Sequence, residues 1–165
     1  MADVSVRPAR AADAELVARV QLETWDKAYA GLLPPLDLRL DQVAAVWLNA
    51  IEAPPSAQHR VLVACELDQV VGFAACEPAE DAAELSTLLV EPTWGRRGHG
   101  SRLLAACADL WRDDQVPLAV TWVLEEDAVM RAFLESAGWA ADGASRDLDA
   151  GDRVLTQHRL HTALT

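Results

Sequence analysis

Residues 84–104 have the sequence ELSTLLVEPTWGRRGHGSRLL, and the interpretation of the rest of the chain starts from them. Its apolar first half predicts a buried strand, which ends at Pro92 because proline cannot donate to a sheet ladder. Three glycines and two arginines follow, and then apolar residues recur at helical spacing: Leu103, Leu104, Cys107, Leu110 and Trp111. A strand, a glycine-rich loop and a helix in this order direct backbone N–H groups and a helix N-terminus at a phosphate.

The order of the glycines separates the known kinds of phosphate loop. A P-loop ends in Gly-Lys-Ser/Thr, which is absent here, and a dinucleotide-binding loop has the pattern G-x-G-x-x-G. This loop has the reversed spacing, Gly95-x-x-Gly98-x-Gly100, and contains Arg96 and Arg97. In a chain of net charge −12, two adjacent arginines indicate an anionic ligand. The alternative is a tight turn that needs glycine only for its positive φ.

This spacing, with Arg97 before Gly98 and an apolar strand upstream, resembles the acetyl-CoA loop of the GNAT superfamily of N-acetyltransferases. The family pattern is Gln/Arg-x-x-Gly-x-Gly/Ala, and its first position here holds Gly95. It is therefore open which side chain reaches the pyrophosphate. The resemblance covers nearly the whole chain and includes three further segments: Val6-Arg7-Pro8 with Asp13, Val123-x-x-x-Asp127, and Phe133 with Gly138-Trp139.

Composition limits the classes of protein to which the chain can belong. Its 165 residues predict one domain, 1–165. A composition of 52% hydrophobic and 24% charged residues is typical of a globular protein. The net charge of −12 argues against nucleic acid or an anionic membrane as partner, and it is compatible with a cationic acceptor. The first residues of the sequence do not have the apolar pattern of a secretory segment, and no apolar run reaches the length of a membrane span. The three cysteines lie in apolar runs, so we expect them to be buried and reduced. We therefore expect a cytoplasmic protein.

Hydrophobic periodicity predicts the element order β-αα-βββ-α-β-α-ββ, which indicates an α/β fold with helices packed on a mixed sheet. The resemblance implies a GNAT-like, mostly antiparallel sheet with a central parallel strand pair and helices on both faces. Asp13 is expected to cap the first helix, and residues 31–35 to separate it from the second. Besides the central segment, the predicted elements are strands 4–8, 60–66, 70–77, 118–124, 139–148 and 153–161, and helices 13–28, 38–51 and 126–137.

The resemblance also implies where acetyl-CoA binds. The oxyanion that forms when the thioester carbonyl is attacked would accept hydrogen bonds from backbone N–H groups of the central strand. The pyrophosphate would lie on the loop and the start of the helix. His99 lies in this loop, where its side chain is expected to be exposed. The residues implied in cofactor binding are Leu88, Leu89, Val90, Arg96, Arg97, Gly98, His99, Gly100, Ser101 and Asp127.

Acetyl transfer to an amine needs a group that takes the proton of the amine. Glu84 is the predicted base, because some GNAT members carry a glutamate at this position and burial at the start of a strand raises the pKa of a carboxyl. The alternative is a solvated strand end. In many members a tyrosine after the phenylalanine protonates the leaving thiolate, but here Leu134 follows Phe133. Either water or another group must then serve as the acid.

Trp25 and Tyr29 lie four residues apart at the end of the first helix, where the family often builds its acceptor pocket. An aromatic pair can hold a cationic amine over its ring faces, and the alternative is an ordinary core pair. No metal site is expected, because His158 and His161 are three apart on a predicted strand and point to opposite faces.

The predicted function is an acetyl-CoA-dependent N-acetyltransferase that uses direct transfer to a primary amine in a ternary complex, because no cysteine has an evident histidine partner. The acceptor is a small-molecule or peptide amine, and GNAT relatives are often dimers, so a homodimer is also expected. Two alternatives stay open. One is a module that holds acetyl-CoA or CoA without turnover, and the other is a different nucleotide- or anion-binding protein.

Overall fold

The computed structural model describes residues 3–29 and 38–164. Within these residues the strands are β1 (Val4–Pro8), β2 (Arg60–Glu66), β3 (Gln69–Ala79), β4 (Ala82–Val90), β5 (Leu118–Leu124), β6 (Ala140–Asp149) and β7 (Val154–Ala163). The helices are α1 (Ala14–Lys27), α2 (Leu40–Glu52), α3 (His99–Asp113) and α4 (Ala128–Ser136). The predicted element order is confirmed, and the predicted break at 31–35 lies outside the described residues.

The described strands form a seven-stranded sheet in the order β1-β2-β3-β4-β5-β7-β6. Every neighbouring pair is antiparallel except β4 and β5, which run parallel because α3 crosses over between them. The mixed, mostly antiparallel sheet with one central parallel pair is therefore confirmed.

A β-bulge in β4 ends the parallel pairing. Ala75 pairs with Thr87 and Cys76 with Leu85, so Ser86 is the extra residue, and its hydroxyl donates to the Ala75 carbonyl at 3.0 Å. A bulge bends and twists its strand, which separates the rest of β4 from β5. The two strands pair only over residues 83–85 and 119–121, and beyond them the β5-facing edge of β4 is open.

Hydrophobic cores lie on both faces of the sheet. On one face α3 and α4 pack onto the strands through Leu103, Cys107 and Leu134. On the other face α1 and α2 do so through Val17 and Trp47, whose ring meets Phe73 edge-on with the centroids 5.0 Å apart. Burial of each such side chain stabilises the fold by about 1.5–3 kcal/mol, so both helical layers hold the sheet in place. In the described part of the chain, none of the helices has both the length and the hydrophobicity that a membrane span needs.

The prediction that Asp13 caps α1 is wrong. Its buried carboxylate makes no cap hydrogen bond to the helix. It accepts two hydrogen bonds from Arg7, at 2.7 and 3.0 Å, and one from the Arg10 N–H at 2.7 Å. The hydrogen bond from Arg7 is the main reason why the pKa of Asp13 is lowered. A short 3₁₀ turn over Ala11–Asp13 directs the side chain back towards β1, so Asp13 ties β1 to the start of α1 instead.

Candidate functional site

A cleft opens where β4 and β5 stop pairing, and it consists of two connected cavities. The loop cavity, of about 560 Å³, lies between β4, the glycine loop and α4, and the sheet cavity, of about 240 Å³, lies between α1, β4, β5 and β7. Both cavities are lined by Tyr29, Leu88, Leu89, Asp127 and Met130. A molecule held in one cavity can therefore reach a molecule held in the other.

The glycine loop presents free backbone donors to the loop cavity. Gly98 has a φ of +83° and is the residue before α3, and because it has no side chain it leaves the first N–H groups of the helix uncapped. The N–H groups of residues 96–101 have no acceptor among the described residues. Together with the positive end of the α3 dipole, these N–H groups form a site that fits a phosphate anion.

The two loop arginines have different surroundings. Arg96 lines the loop cavity and has a φ of +62°. Arg97 points away from it: its guanidinium donates to Glu66 at 3.0 Å and lies 5.0 Å from the centre of the Trp94 ring. Only Arg96 is therefore positioned beside a ligand of the loop, and Arg97 holds the loop in shape.

The expectation that His99 is exposed is wrong. Its side chain is 1% exposed, and its Nε2 atom lies 2.8 Å from a carboxylate oxygen of Glu66, at the end of β2. The hydrogen bond with His99, together with that from Arg97, lowers the pKa of Glu66. Sequence reasoning missed Glu66, and the available signal was a single acid that ends an otherwise apolar strand. This acid fastens the glycine loop to the sheet.

Leu88, Leu89 and Val90 form the wall between the loop and the strand edge. Their pairing with β3 uses one edge of β4. All three line the loop cavity, and the N–H groups that point towards β5 have no strand partner. The structure thus brings this predicted edge together with the glycine loop.

Glu84 lies apart from the cleft. It pairs with Glu77 on one side and with Val120 on the other, and it lines neither the loop cavity nor the sheet cavity. Burial, and then the neighbouring Glu77 carboxylate, raise its pKa. The raised pKa is the one expected of a base, but the structure does not bring Glu84 together with the glycine loop.

Trp25, Tyr29 and Asp127 meet at the sheet cavity. Asp127 caps α4 by accepting the Met130 N–H at 3.1 Å, which leaves its carboxylate at the junction of the two cavities. Burial and the nearby Asp127 carboxylate raise the pKa of Tyr29 above its usual range. Leu134 follows Phe133, where the resemblance to the GNAT family implies a proton-donating tyrosine. Its side chain is 1% exposed and adds only apolar surface to the wall of the sheet cavity.

The far wall of the sheet cavity was not predicted. It consists of Trp122, Leu148 and Gln157, which come from β5, β6 and β7. The Arg146 guanidinium lies 4.3 Å from the centre of the Trp122 ring, and its Nε donates to Gln157 at 2.7 Å. These residues are distant in sequence, and only the strand pairing brings them together.

The cysteines lie away from the cleft. Cys65, Cys76 and Cys107 are free and buried, and none lines the loop cavity or the sheet cavity. The Cys76 and Cys107 sulfurs are 3.3 Å apart, and their contact, together with burial, raises the pKa of the Cys76 thiol. The described residues contain no group of three or more His, Cys, Asp or Glu side chains that could hold a metal ion.

Comparison with known proteins gives one family and one fold. A model of the acetyltransferase (GNAT) domain matches residues 57–141. PaiA N-acetyltransferase from Thermoplasma acidophilum, solved with coenzyme A, has a TM-score of 0.77 and 18% identity, covering 98% of this chain and 99% of that chain. Ribosomal-protein-alanine N-acetyltransferase from Brucella melitensis has a TM-score of 0.78 and 21% identity, covering 96% and 99%. YncA from Salmonella typhimurium, solved with its cofactor acetyl-CoA, has a TM-score of 0.75 and 20% identity, covering 98% and 94%. No curated protein matches the sequence.

Proposed function

The chain belongs to the GNAT acetyltransferase family, and on this premise we propose that it is an N-acetyltransferase that moves the acetyl group of acetyl-CoA to a primary amine. One observation carries the proposal. A single cleft joins the free N–H groups of residues 96–101 to a cavity lined by aromatic residues and one carboxylate, and the open edge of β4 runs between them. The continuous sheet supports one such domain over residues 1–165.

The residues of the loop cavity fit the cofactor that we propose. The N–H groups of residues 96–101 would hold the pyrophosphate, and the Arg96 guanidinium would add a positive charge beside it. The open edge at Leu88, Leu89 and Val90 would donate to the carbonyl oxygen of the acetyl group and stabilise the negative charge that develops there. Acetyl-CoA supplies the activated acetyl group as a thioester.

The sheet cavity is the proposed acceptor site. Trp25 and Tyr29 offer ring faces to a cationic amine, an interaction of about 0.5–2 kcal/mol. A small-molecule amine or the amine of a peptide would both fit this chemistry. Direct transfer is the proposed route, because the three cysteines are buried and line neither cavity.

A second candidate function is a module that holds acetyl-CoA or CoA without turnover. The observation that favours it is Leu134, because a buried leucine cannot protonate a leaving thiolate.

Calorimetric titration of the purified protein with acetyl-CoA, CoA, ATP and NAD tests the first step. We expect acetyl-CoA and CoA to bind and ATP and NAD to bind at least tenfold more weakly. Release of free thiol from acetyl-CoA with a panel of amines then separates the enzyme from the module. Binding without release by any amine favours the module, and no preference for the CoA compounds contradicts the proposed cofactor.

A further inference from the structure

Two titratable side chains, Tyr29 and Asp127, border both cavities within the described part of the chain. They are also the only titratable groups on the described walls of the sheet cavity, where the amine is proposed to bind. A proton that leaves an amine in this cavity therefore meets Asp127 or Tyr29 before any other ionisable group.

Asp127 is fixed in position by the start of α4. One of its carboxylate oxygens accepts the Met130 N–H at 3.1 Å, and the geometry of the cap holds the group at the junction of the cavities. In the sheet cavity it is the only charged side chain among the described residues. An ammonium group in this cavity thus has one carboxylate to pair with.

Tyr29 supplies what Leu134 cannot. Its phenol lies near the Asp127 carboxylate, at the end of α1, and it lines the loop cavity as well. Burial and the neighbouring carboxylate keep the pKa of Tyr29 high, so the phenol is protonated at neutral pH and has a proton to give.

We propose that Asp127 and Tyr29 form the proton relay of the acetyl transfer, an inference that rests on the function proposed above. The bound ammonium first loses one proton to water, and Asp127 takes the second proton of the nitrogen while the C–N bond forms and the C–S bond breaks. Tyr29 gives its proton to the leaving sulfur and regains one from Asp127. A neutral amine and a thioester thereby become an amide and a thiol, and both residues return to their starting states.

Replacement of the carboxylate is the first test, and Asp127→Asn is a suitable variant because Asn caps helices as well as Asp does. We expect kcat to fall at least 100-fold, within the range that general acid–base catalysis contributes, with the Kd for acetyl-CoA and the Tm nearly unchanged. Binding of the amine to the protein–CoA complex, measured by calorimetry, should also weaken. Glu125→Gln is the matched control, because Glu125 lines neither the loop cavity nor the sheet cavity and pairs with His158.

Three results of this test have distinct meanings. Retained turnover in Asp127→Asn contradicts the relay while the proposed function stands. A loss of acetyl-CoA affinity with unchanged kcat also contradicts the relay and makes Asp127 a cofactor-binding residue, as the sequence predicted. Wild-type protein that binds CoA but releases no thiol with any amine contradicts the proposed function itself, and the relay with it.

Spectroscopy gives a readout that does not depend on activity. Tyr29 is the only tyrosine of the chain, so the near-ultraviolet absorbance of tyrosinate reports this residue alone. We expect the pKa of Tyr29 to lie above the usual value of about 10 in the wild type and to be lower in Asp127→Asn. The other charged groups on the loop cavity, Arg96, His99 and Glu126, are the same in both proteins. An unchanged pKa contradicts the coupling between the two residues.

The double variant tests whether the residues act as a unit. Tyr29→Phe should lower kcat about 10- to 100-fold, and Asp127→Asn with Tyr29→Phe should be no more than about threefold slower than the slower single variant. Losses that multiply would show independent roles and contradict the relay.

Discussion

The two ends of the cleft are built in different ways. The loop end uses backbone N–H groups from one contiguous stretch, residues 96–101, and the sheet cavity uses side chains from α1, β4, β5, α4, β6 and β7. A backbone site depends on the path of the chain and is insensitive to most side-chain changes, whereas a side-chain site changes with each substitution. A fold built in this way can keep one ligand site constant while the residues of the other site vary.

A substitution that changes the backbone path should have the largest effect. At Gly98, where φ is +83°, a Cβ would lie 2.9 Å from the Arg102 Nη1 atom, so we expect Gly98→Val to abolish detectable binding of acetyl-CoA in calorimetry. Gly143→Val is the matched control, because Gly143 has a φ of +89° and nothing within 4 Å of its added Cβ. Both variants have the same backbone strain, of about 1–2 kcal/mol, but only the first changes the loop. Equal affinities would show that the loop is a structural turn.

Loss of an aromatic ring from the sheet cavity should weaken binding of the amine and leave binding of acetyl-CoA unchanged. Trp25→Ala removes a ring from the sheet cavity, and we expect KM for the amine to rise about tenfold while the Kd for acetyl-CoA stays within about twofold. The measurement is a pair of titrations, one of the amine in steady-state kinetics and one of acetyl-CoA in calorimetry. A parallel loss of both affinities would contradict the separation of the two ends.

The two loop arginines should differ in what they affect. Arg96→Ala is expected to weaken acetyl-CoA binding about three- to tenfold, more at low than at high salt, because Arg96 borders the loop cavity. Arg97→Ala should lower the Tm more than it lowers the affinity, because Arg97 contacts Glu66 and Trp94. Calorimetry at two salt concentrations and thermal unfolding distinguish them. The reverse pattern would assign the ligand to Arg97.

The smallest effect is expected at Glu84. Since burial and Glu77 raise its pKa, the ionised carboxylate is less stable in the folded than in the unfolded protein. This destabilisation is absent at low pH, grows as pH rises from the unfolded pKa to the folded pKa, and is complete above it. Glu84→Gln should thus raise the Tm by about 1–3 °C at pH 7 and leave it unchanged near pH 3.

The same variant decides the role that the sequence predicts for Glu84. If Glu84 is the base, Glu84→Gln should lower turnover and change the affinity for acetyl-CoA little. Its position outside both cavities leads us to expect kcat within about threefold of the wild type. A drop of more than tenfold would restore Glu84 as the base and remove that role from Asp127.

Much of the fold could be predicted because it is locally determined. The apolar run Leu118–Leu124 is the strand β5 with the predicted bounds, and the glycine spacing with Pro92 set the strand–loop–helix order. The errors arose where a polar side chain had a tertiary partner. Asp13 pairs with Arg7 instead of capping α1, and His99 is buried because Glu66 reaches it from β2.

The candidate site divides in the same way. The N–H groups of the loop follow from spacing within one stretch, so they could be assigned from the sequence. The bulge at Ser86 has no signature in the residue pattern, yet it opens the edge that the site uses. The wall formed by Trp122 and Gln157 depends on strand register, and no local pattern places those residues beside Trp25.

The short parallel junction has a mechanical consequence. Because β4 and β5 pair only over residues 83–85 and 119–121, β1–β4 and β5–β7 are two leaves joined by a narrow hinge. A ligand that lies along the open edge would contact both parts of the sheet and restrict their motion relative to each other. Amide hydrogens at the hinge should then exchange more slowly when the cleft is filled, although no ligand atom touches them. Ligand binding in this protein would thus be measurable as slower hydrogen exchange at a part of the sheet that the ligand does not touch.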